Sequence, residues 1–475
     1  MEKKNIINHK ALFLIFAFGI CLWFMPWHAG LEQKSWNLLV IFLTTIIAVI
    51  FNPAPMSILS MIAVTACILT HTMSVRDTLQ GFGEDIVWLV VFAFFISRAI
   101  IKSNLSKRIA YFLISKLGSS TIGLSYSLIL TELLIAPVIP SATARGGAII
   151  FPIARAIADQ YSTEAKNVSN PELIKQFLMK ICFQSNVITS AMFLTAMVGN
   201  PFIAKLAHGI GVELDWITWA KAAFIPGLLS LILLPFVMMY IIKPHIDSCD
   251  EAVEAAKHAL KEMGKISKGE IVVLCTFVLL LMLWIFGYNI GINSTATALL
   301  GCVILVLCGV ITLDDIIQEK GAWDTFIWFG IFVTLSSALS GSGVMERISE
   351  YAETIVYGFN PYIAAACIVV VFFYMHYFFA SITVYATVMY TTFAILLIHL
   401  GIYPIAACLI LAFLANVSAC LTHYGITSAP IFFNGSGMSV RKWLSIGLLS
   451  SIINISIWVA SAAFLWSKLG IKILQ

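Results

Sequence analysis

Residues 124–157 read LSYSLILTELLIAPVIPSATARGGAIIFPIARAI, an apolar run of 34 residues broken midway by Pro137, Pro140, Gly146 and Gly147. A helix crossing the hydrocarbon core needs about 20 residues, so the run is too long for one crossing and too short for two with a loop. It fits a re-entrant hairpin that enters to mid-membrane, turns and leaves by the same face. The turn leaves backbone N–H and C=O groups without helical partners. Lipid cannot satisfy them, so the tip must be buried in protein or line a wet cavity. Two prolines end the first arm and two glycines let the second begin, which puts Ser141 and Thr143 at the turn. A second run of about the same length, residues 363–397, carries Phe379-Ala380-Ser381-Ile382-Thr383, the same Ser-x-Thr without the punctuation.

Composition supports a membrane setting. Of 475 residues, 60% are hydrophobic and 11% charged, and mean hydropathy is +0.96. A soluble chain carries about 25% charged residues. The expected fold class is therefore an all-α membrane protein. The net charge of +4 gives no footprint for nucleic acid. Ten cysteines are scattered without a CxxC or a Cys/His cluster, so no disulfide framework, metal site or cofactor is expected. Lys3, Lys4 and Lys10 precede an apolar run at 11–27, but Pro26, Trp27 and His28 replace any small-residue cleavage pattern. An uncleaved first span is expected.

Outward from the two hairpins, spans are read at 11–27, 36–51, 56–69, 86–101, 181–203 and 219–242, then at 271–286, 295–311, 326–339, 405–433 and 444–466. The halves repeat. Ser141 and Thr143 lie 240 positions before Ser381 and Thr383, and the same offset relates Trp88 to Trp328, Phe92 to Phe332 and Ser97 to Ser337. The implied organisation is an N-terminal transmembrane helix (1–30), a first repeat (31–245, hairpin at 121–157), a cytoplasmic linker (246–270) and a second repeat (271–475, hairpin at 361–397). Each half holds five spans, an odd number, so the copies are inverted, as in secondary transporters. Arg98, Lys102, Lys107, Arg108 and Lys116 crowd one loop, whereas its counterpart at 341–361 has only Arg347. Arg155, Lys166, Lys175 and Lys180 fall in a second segment, and Arg441 with Lys442 in a third. Placing them in the cytoplasm puts the N-terminus inside and, after eleven crossings, the C-terminus outside.

Ser-x-Thr at a helix start offers two hydroxyls, free N–H groups and the positive end of a helix dipole, which suits a carboxylate. Plain N-capping explains one such motif; two at repeat-related tips favour binding. Two further spans break mid-membrane, at Gly199-Asn200-Pro201 and at Thr427-Ser428-Ala429-Pro430, each beside a hairpin. A proline kink is the simpler explanation of each break. Unwound backbone beside a tip is the expected composition of a midplane site.

Three motifs in order carry a resemblance that covers most of the chain. Pro140-Ser141-Ala142-Thr143-Ala144-Arg145-Gly146-Gly147 with Ile149-Ile150-Phe151-Pro152-Ile153 resembles the PSNTAR…GGIIFPI segment of the divalent anion/sodium symporter (DASS) family. His376-Tyr377-Phe378-Phe379-Ala380-Ser381-Ile382-Thr383 resembles its HYxFAS-x-T hairpin, and Leu421-Thr422-His423-Tyr424-Gly425 with Ser428-Ala429-Pro430-Ile431 its LTHYG…PAPIYF segment. The likeness is to the branch of citrate/succinate, tartrate/succinate and 2-oxoglutarate/malate antiporters. It implies eleven spans and two hairpins, an elevator-type transporter with a scaffold and a moving part, and a homodimer in the cytoplasmic membrane. It also assigns substrate binding to Ser141, Thr143, Ser381 and Thr383. The chain departs from the pattern at Ala142, where the family has Asn, and Ile382 is likewise apolar at the middle of the second motif.

Arg145 and His423 flank these motifs, and a charge at membrane depth marks function. In sodium-coupled relatives a metal ion supplies positive charge beside each tip; Arg145 and His423 are expected to supply it permanently. An empty site with fixed positive charge is costly to carry across the membrane, so such a carrier exchanges one dicarboxylate for another without sodium. Two plainer possibilities stand beside this one. Glu132 would neutralise Arg145 as a structural pair, and His423 would be a hydrogen-bonded bundle histidine or a proton-coupling group. A sodium- or proton-coupled dicarboxylate symporter is the nearest alternative, although Ala142 and Ile382 lack the oxygens a hard cation needs. An intramembrane enzyme lacks any H-E-x-x-H or G-x-S-x-G. The expected partners are a di- or tricarboxylate and membrane lipid.

Overall fold

The computed structural model describes residues 7–25, 30–163, 171–244 and 249–473. Lys3, Lys4, Pro26, Trp27, His28 and Lys166 lie outside the described residues. Among the described residues every regular element is helical.

Helices α1 (His9–Trp23), α2 (Gln33–Phe51), α3 (Met56–Leu69) and the short α4 (Val75–Leu79) come first. Next, α5 (Asp85–Lys102) bends by 58° into α6 (Leu105–Leu117). The first proposed hairpin is α7 (Thr121–Ile135) and α8 (Phe151–Thr163), with a π-helical stretch at Ala144–Ile150 leading into α8. A broken pair follows, α9 (Pro171–Met192) and α10 (Gly199–His208), then α11 (Trp216–Ile242). Helix α12 (Asp250–Glu262) occupies the linker. The second half opens with α13 (Lys268–Phe286), α14 (Ser294–Leu307) and the short α15 (Leu313–Ile317). It continues with α16 (Lys320–Ser340), α17 (Val344–Val356), the paired α18 (Pro361–Met375) and α19 (Ile382–His399), the broken α20 (Pro404–Val417) and α21 (Ala429–Ser436), and α22 (Val440–Leu465).

Local chemistry explains where these helices start. Ser120 accepts from Gly123 N at the head of α7, and Asn360 accepts from Tyr362 N and Ile363 N at the head of α18, where Pro361 needs no partner. Ser267 and Glu270 close a capping box on α13. Arg108 of α6 also grips Glu270, at 2.5 Å, and the carbonyls of Gly264 and Met263, which fixes the end of α12 against α6.

Among the described residues, eight helices are long and apolar enough to cross a membrane, or nine with the bent α5–α6 pair as one. The expected eleven crossings also count α1, α3 and α14, which have only 14 or 15 residues. They count the polar α9 too, and they treat α18 and α19 as arms of one hairpin. The succession of long helix, short amphipathic helix, paired arms, broken span and long helix occurs at α5–α11 and again at α16–α22. The Trp88 ring lies tilted 5.4 Å from Phe92, and Trp328 meets Phe332 edge-on at 6.4 Å, in helices that pack on each other.

The centre of the bundle is α9, packed against α7, α8, α11, α20 and α21. Its Lys180, Gln184, Ser185, Asn186, Thr189 and Ser190 are wholly buried. A helix polar on its inside is the reverse of a core helix in water, and each buried polar group needs a partner.

At the rim, Lys102 Nζ lies 2.5 Å from Asp315 Oδ2 and holds that carboxyl at a pKa of about 2, below its ordinary 3.8. The pair's contribution is therefore complete above 3.8 and fades as pH falls through about 2. Asp315→Asn is expected to cost at most about 1 kcal/mol, because Lys102 is partly exposed. Thermal unfolding in detergent should show the same small loss at pH 5 and pH 8; a loss that changes between them would contradict this.

Candidate functional site

After Ile135 the chain unwinds through 136–141, where the prolines stop helical pairing. Ser141 Oγ accepts from Ala144 N at 3.1 Å and so caps the returning arm. The π-helical turn that follows brings Gly146 and Gly147 beneath α21. A methyl on Gly146 would lie 2.9 Å from the Phe432 ring, and one on Gly147 would lie 2.6 Å from Ile431. A side chain at Gly146 would press on that ring, and one at Gly147 would need Ile431 to turn aside. Thr143 Oγ1 meets Thr427 Oγ1 at 2.5 Å, joining the first tip to the break between α20 and α21.

At the second tip, Ser381 is extended and its side chain makes no capping bond to α19. The break between α9 and α10 lies against this tip. A methyl on Gly199 would sit 3.6 Å from Ile382 and 3.7 Å from Thr383 Oγ1. Each tip thus rests on the broken span of the other half.

Arg145 requires a correction. It was expected to present its charge to a ligand, but it is fully buried. Nε donates to Glu132 Oε1 at 2.8 Å, Nη1 to Ile139 O at 2.5 Å and to Ala196 O, and Nη2 to Ser190 Oγ at 2.7 Å. A guanidinium in a dry interior is tolerated only with such partners. Asn200 is likewise taken up by the fold. Its Nδ2 donates to Ser190 O and Phe193 O, and its Oδ1 accepts from Asn416 Nδ2 at 2.8 Å. Ser428 Oγ donates to Asn186 Oδ1 at 2.8 Å and is buried.

Ala142, Gly199, Pro201, Ile382 and Thr383 are buried as well, while Ser141, Thr143, Ser381 and His423 are half-buried and Thr427 and Pro430 exposed. The reachable chemistry is therefore four hydroxyls and an imidazole. The His423 ring lies 4.7 Å from that of Phe433, and its Nδ1 has no partner among the described residues. The Phe433 ring meets Trp443, and Lys180 Nζ stands 3.8 Å over Trp443. Lys180 is fully buried, and its one hydrogen bond among the described residues is to Trp443 O at 3.4 Å.

Two residues that sequence reasoning did not assign to the site hold it together. Asn186 Nδ2 donates to Glu132 Oε1 at 2.7 Å and to Ala142 O at 3.1 Å, so one side chain ties the first arm, the first tip and Ser428. His376 is buried, with Nε2 3.1 Å from Gly425 O, and steadies the loop before the second break. The signal for Asn186 was present in the chain: Gln184, Ser185, Asn186, Thr189 and Ser190 cluster inside a membrane-depth helix.

Residues 7–472 match the family model described as the sodium:sulfate symporter transmembrane region. The chain is 44% identical over 470 residues to the putative malate transporter YflS of Bacillus subtilis (strain 168), covering 99% of this chain and 98% of that one. It is 38% identical over 465 residues to dicarboxylate transporter 1, chloroplastic, of Arabidopsis thaliana, covering 97% and 83%. In fold it is similar to MtrF of Neisseria gonorrhoeae, with TM-score 0.55 at 13% identity over 84% of each chain. It also resembles the YdaH transporter of Alcanivorax borkumensis, with TM-score 0.52 at 11% identity over 83% of this chain and 88% of that one. The chain is a multi-pass membrane transporter rather than an enzyme, and it belongs to the divalent anion/sodium symporter family.

Proposed function

We propose that this transporter exchanges di- or tricarboxylates, of the succinate, malate, 2-oxoglutarate, citrate or tartrate class, across the cytoplasmic membrane without sodium. The relatives named as malate and dicarboxylate transporters support the substrate class. The four reachable hydroxyls, at Ser141, Thr143, Ser381 and Thr427, suit carboxylate oxygens, as do the N–H groups freed at the tips.

The observation that carries sodium independence is Arg145. Unwound carbonyls beside a hairpin tip are what coordinates a hard cation in broken-helix transporters. Here the carbonyls of Ile139 and Ala196 already accept from a permanent cation. Glu132 cancels that cation's charge, and Lys180 is a buried basic side chain with no carboxylate partner among the described residues. Moving such a site empty is costly, whereas a bound dianion offsets the charge. Exchange follows from that difference.

The architecture we assign is two inverted repeats, eleven crossings and two hairpins in an elevator-type homodimer. The N-terminus is cytoplasmic and the C-terminus outside. The unpartnered Nδ1 of His423 favours one second reading, a proton-coupled symporter. Proteoliposomes separate the two. Malate uptake is expected only with dicarboxylate inside, at the same rate when potassium replaces sodium. Sodium-dependent uptake into empty vesicles would overturn exchange, and acid-stimulated uptake into empty vesicles would establish proton coupling.

A further inference from the structure

A cavity of about 610 Å³ lies between α2, α10, α16 and α19, on the face where α10 and α16 end. Its polar lining includes Lys205, Glu84, Ser337, Thr387 and Thr391. A second cavity of about 550 Å³ shares Glu84 and Ser337 with it, so Glu84 stands between the two. Lys205 Nζ is 2.9 Å from Glu84 Oε2, with side chains 13% and 30% exposed. That burial leaves the pair reachable by a solute yet dry enough for charge to matter. Glu84 is the one carboxylate that Lys205 meets among the described residues.

A row of threonines on α19 leads from the second tip to the cavity. Thr383, Thr387 and Thr391 recur every fourth residue and share one face of α19. Thr387 Oγ1 donates to Thr383 O at 2.7 Å, and the next threonine lines the cavity. Ser336 Oγ, buried in the same wall, has no partner among the described residues.

We propose that Lys205 and Glu84 form an outer binding station for dicarboxylates on the way to the second tip, Glu84 acting as an internal competitor for Lys205. This rests on the carboxylate reading above. In the empty cavity the carboxylate of Glu84 neutralises Lys205. An arriving dicarboxylate takes its place by a charge-assisted contact, and Glu84 turns to water. The space is ample for a four- or five-carbon diacid.

A structural ion pair and a recruiting station differ in sign. Glu84→Gln unmasks Lys205 and is expected to lower the KM for malate exchange, while Lys205→Gln raises it, each by about three- to fivefold, the size of one partly exposed charge contact. Lys205→Arg should keep the wild-type KM, and the Glu84→Gln gain should shrink at high ionic strength. Maximal rate and thermal unfolding, measured alongside, report folding. KM values that move together, or not at all, in variants that fold would overturn the station while leaving the carrier reading intact. Wild-type vesicles that exchange no dicarboxylate would overturn both.

Discussion

Glu132→Gln is expected to strip most of the folded protein from a detergent extract. The substitution keeps the size of the side chain but leaves Arg145 charged and without a carboxylate at zero exposure. Breaking a buried pair from one side costs about 3–5 kcal/mol, a large share of the stability a folded chain has. Glu132 Oε1 also accepts from Asn186 Nδ2, so the damage extends to the tie between the first tip and Ser428. Arg145→Met should be about as harmful, since it leaves Glu132 without its counter-charge and the carbonyls of Ile139 and Ala196 without their donor. The pair Glu132→Gln with Arg145→Met removes both charges and should recover part of the loss, a coupling that a double-mutant cycle by thermal unfolding reads directly. Wild-type stability in Glu132→Gln alone would show that the pair does not hold the hairpin.

Ser141→Ala combined with Ser381→Ala is expected to lower malate uptake about a hundredfold while the protein stays folded. A hydrogen bond to a charged group is worth about 1.5–3 kcal/mol, so losing two weakens binding by about two decades or more. The two positions differ in what else they do. Ser141 caps the returning arm, and its loss should also cost about 1 kcal/mol of stability. Ser381 makes no capping bond, so Ser381→Ala alone should reduce initial uptake rates at low malate with little change in thermal unfolding.

The breaks at 136–141 and 376–381 were legible because proline, glycine and Ser-x-Thr act through local backbone chemistry. So were the apolar runs, most of which form helices. The role of Arg145 was not. Its proximity to Glu132 was visible along the chain, but whether the guanidinium faced a ligand or its own hairpin depends on Ile139, Ala196 and Ser190 converging on it. That convergence needs α7, α8 and α9 already packed. Asn200 was read as a ligand because it sits at a break. The contact that occupies its side-chain oxygen comes from Asn416, a residue 216 positions away. Long-range closure of this kind leaves no periodic trace. The approach of Gly146 and Gly147 to α21 is similar: the glycines were read as punctuation, and their other use, admitting Phe432 and Ile431, appears only in three dimensions.

The central claim is that a dianion is held between two hairpin tips by hydroxyls and freed amides, with no metal ion. Calorimetric titration of malate into the purified transporter in sodium-free buffer tests it most directly. Saturable binding to the wild type, weakened about a hundredfold or more in Ser141→Ala/Ser381→Ala with thermal unfolding nearly kept, is the result this account requires. Equal affinity in the two proteins, or binding to the wild type only after sodium is added, would contradict it.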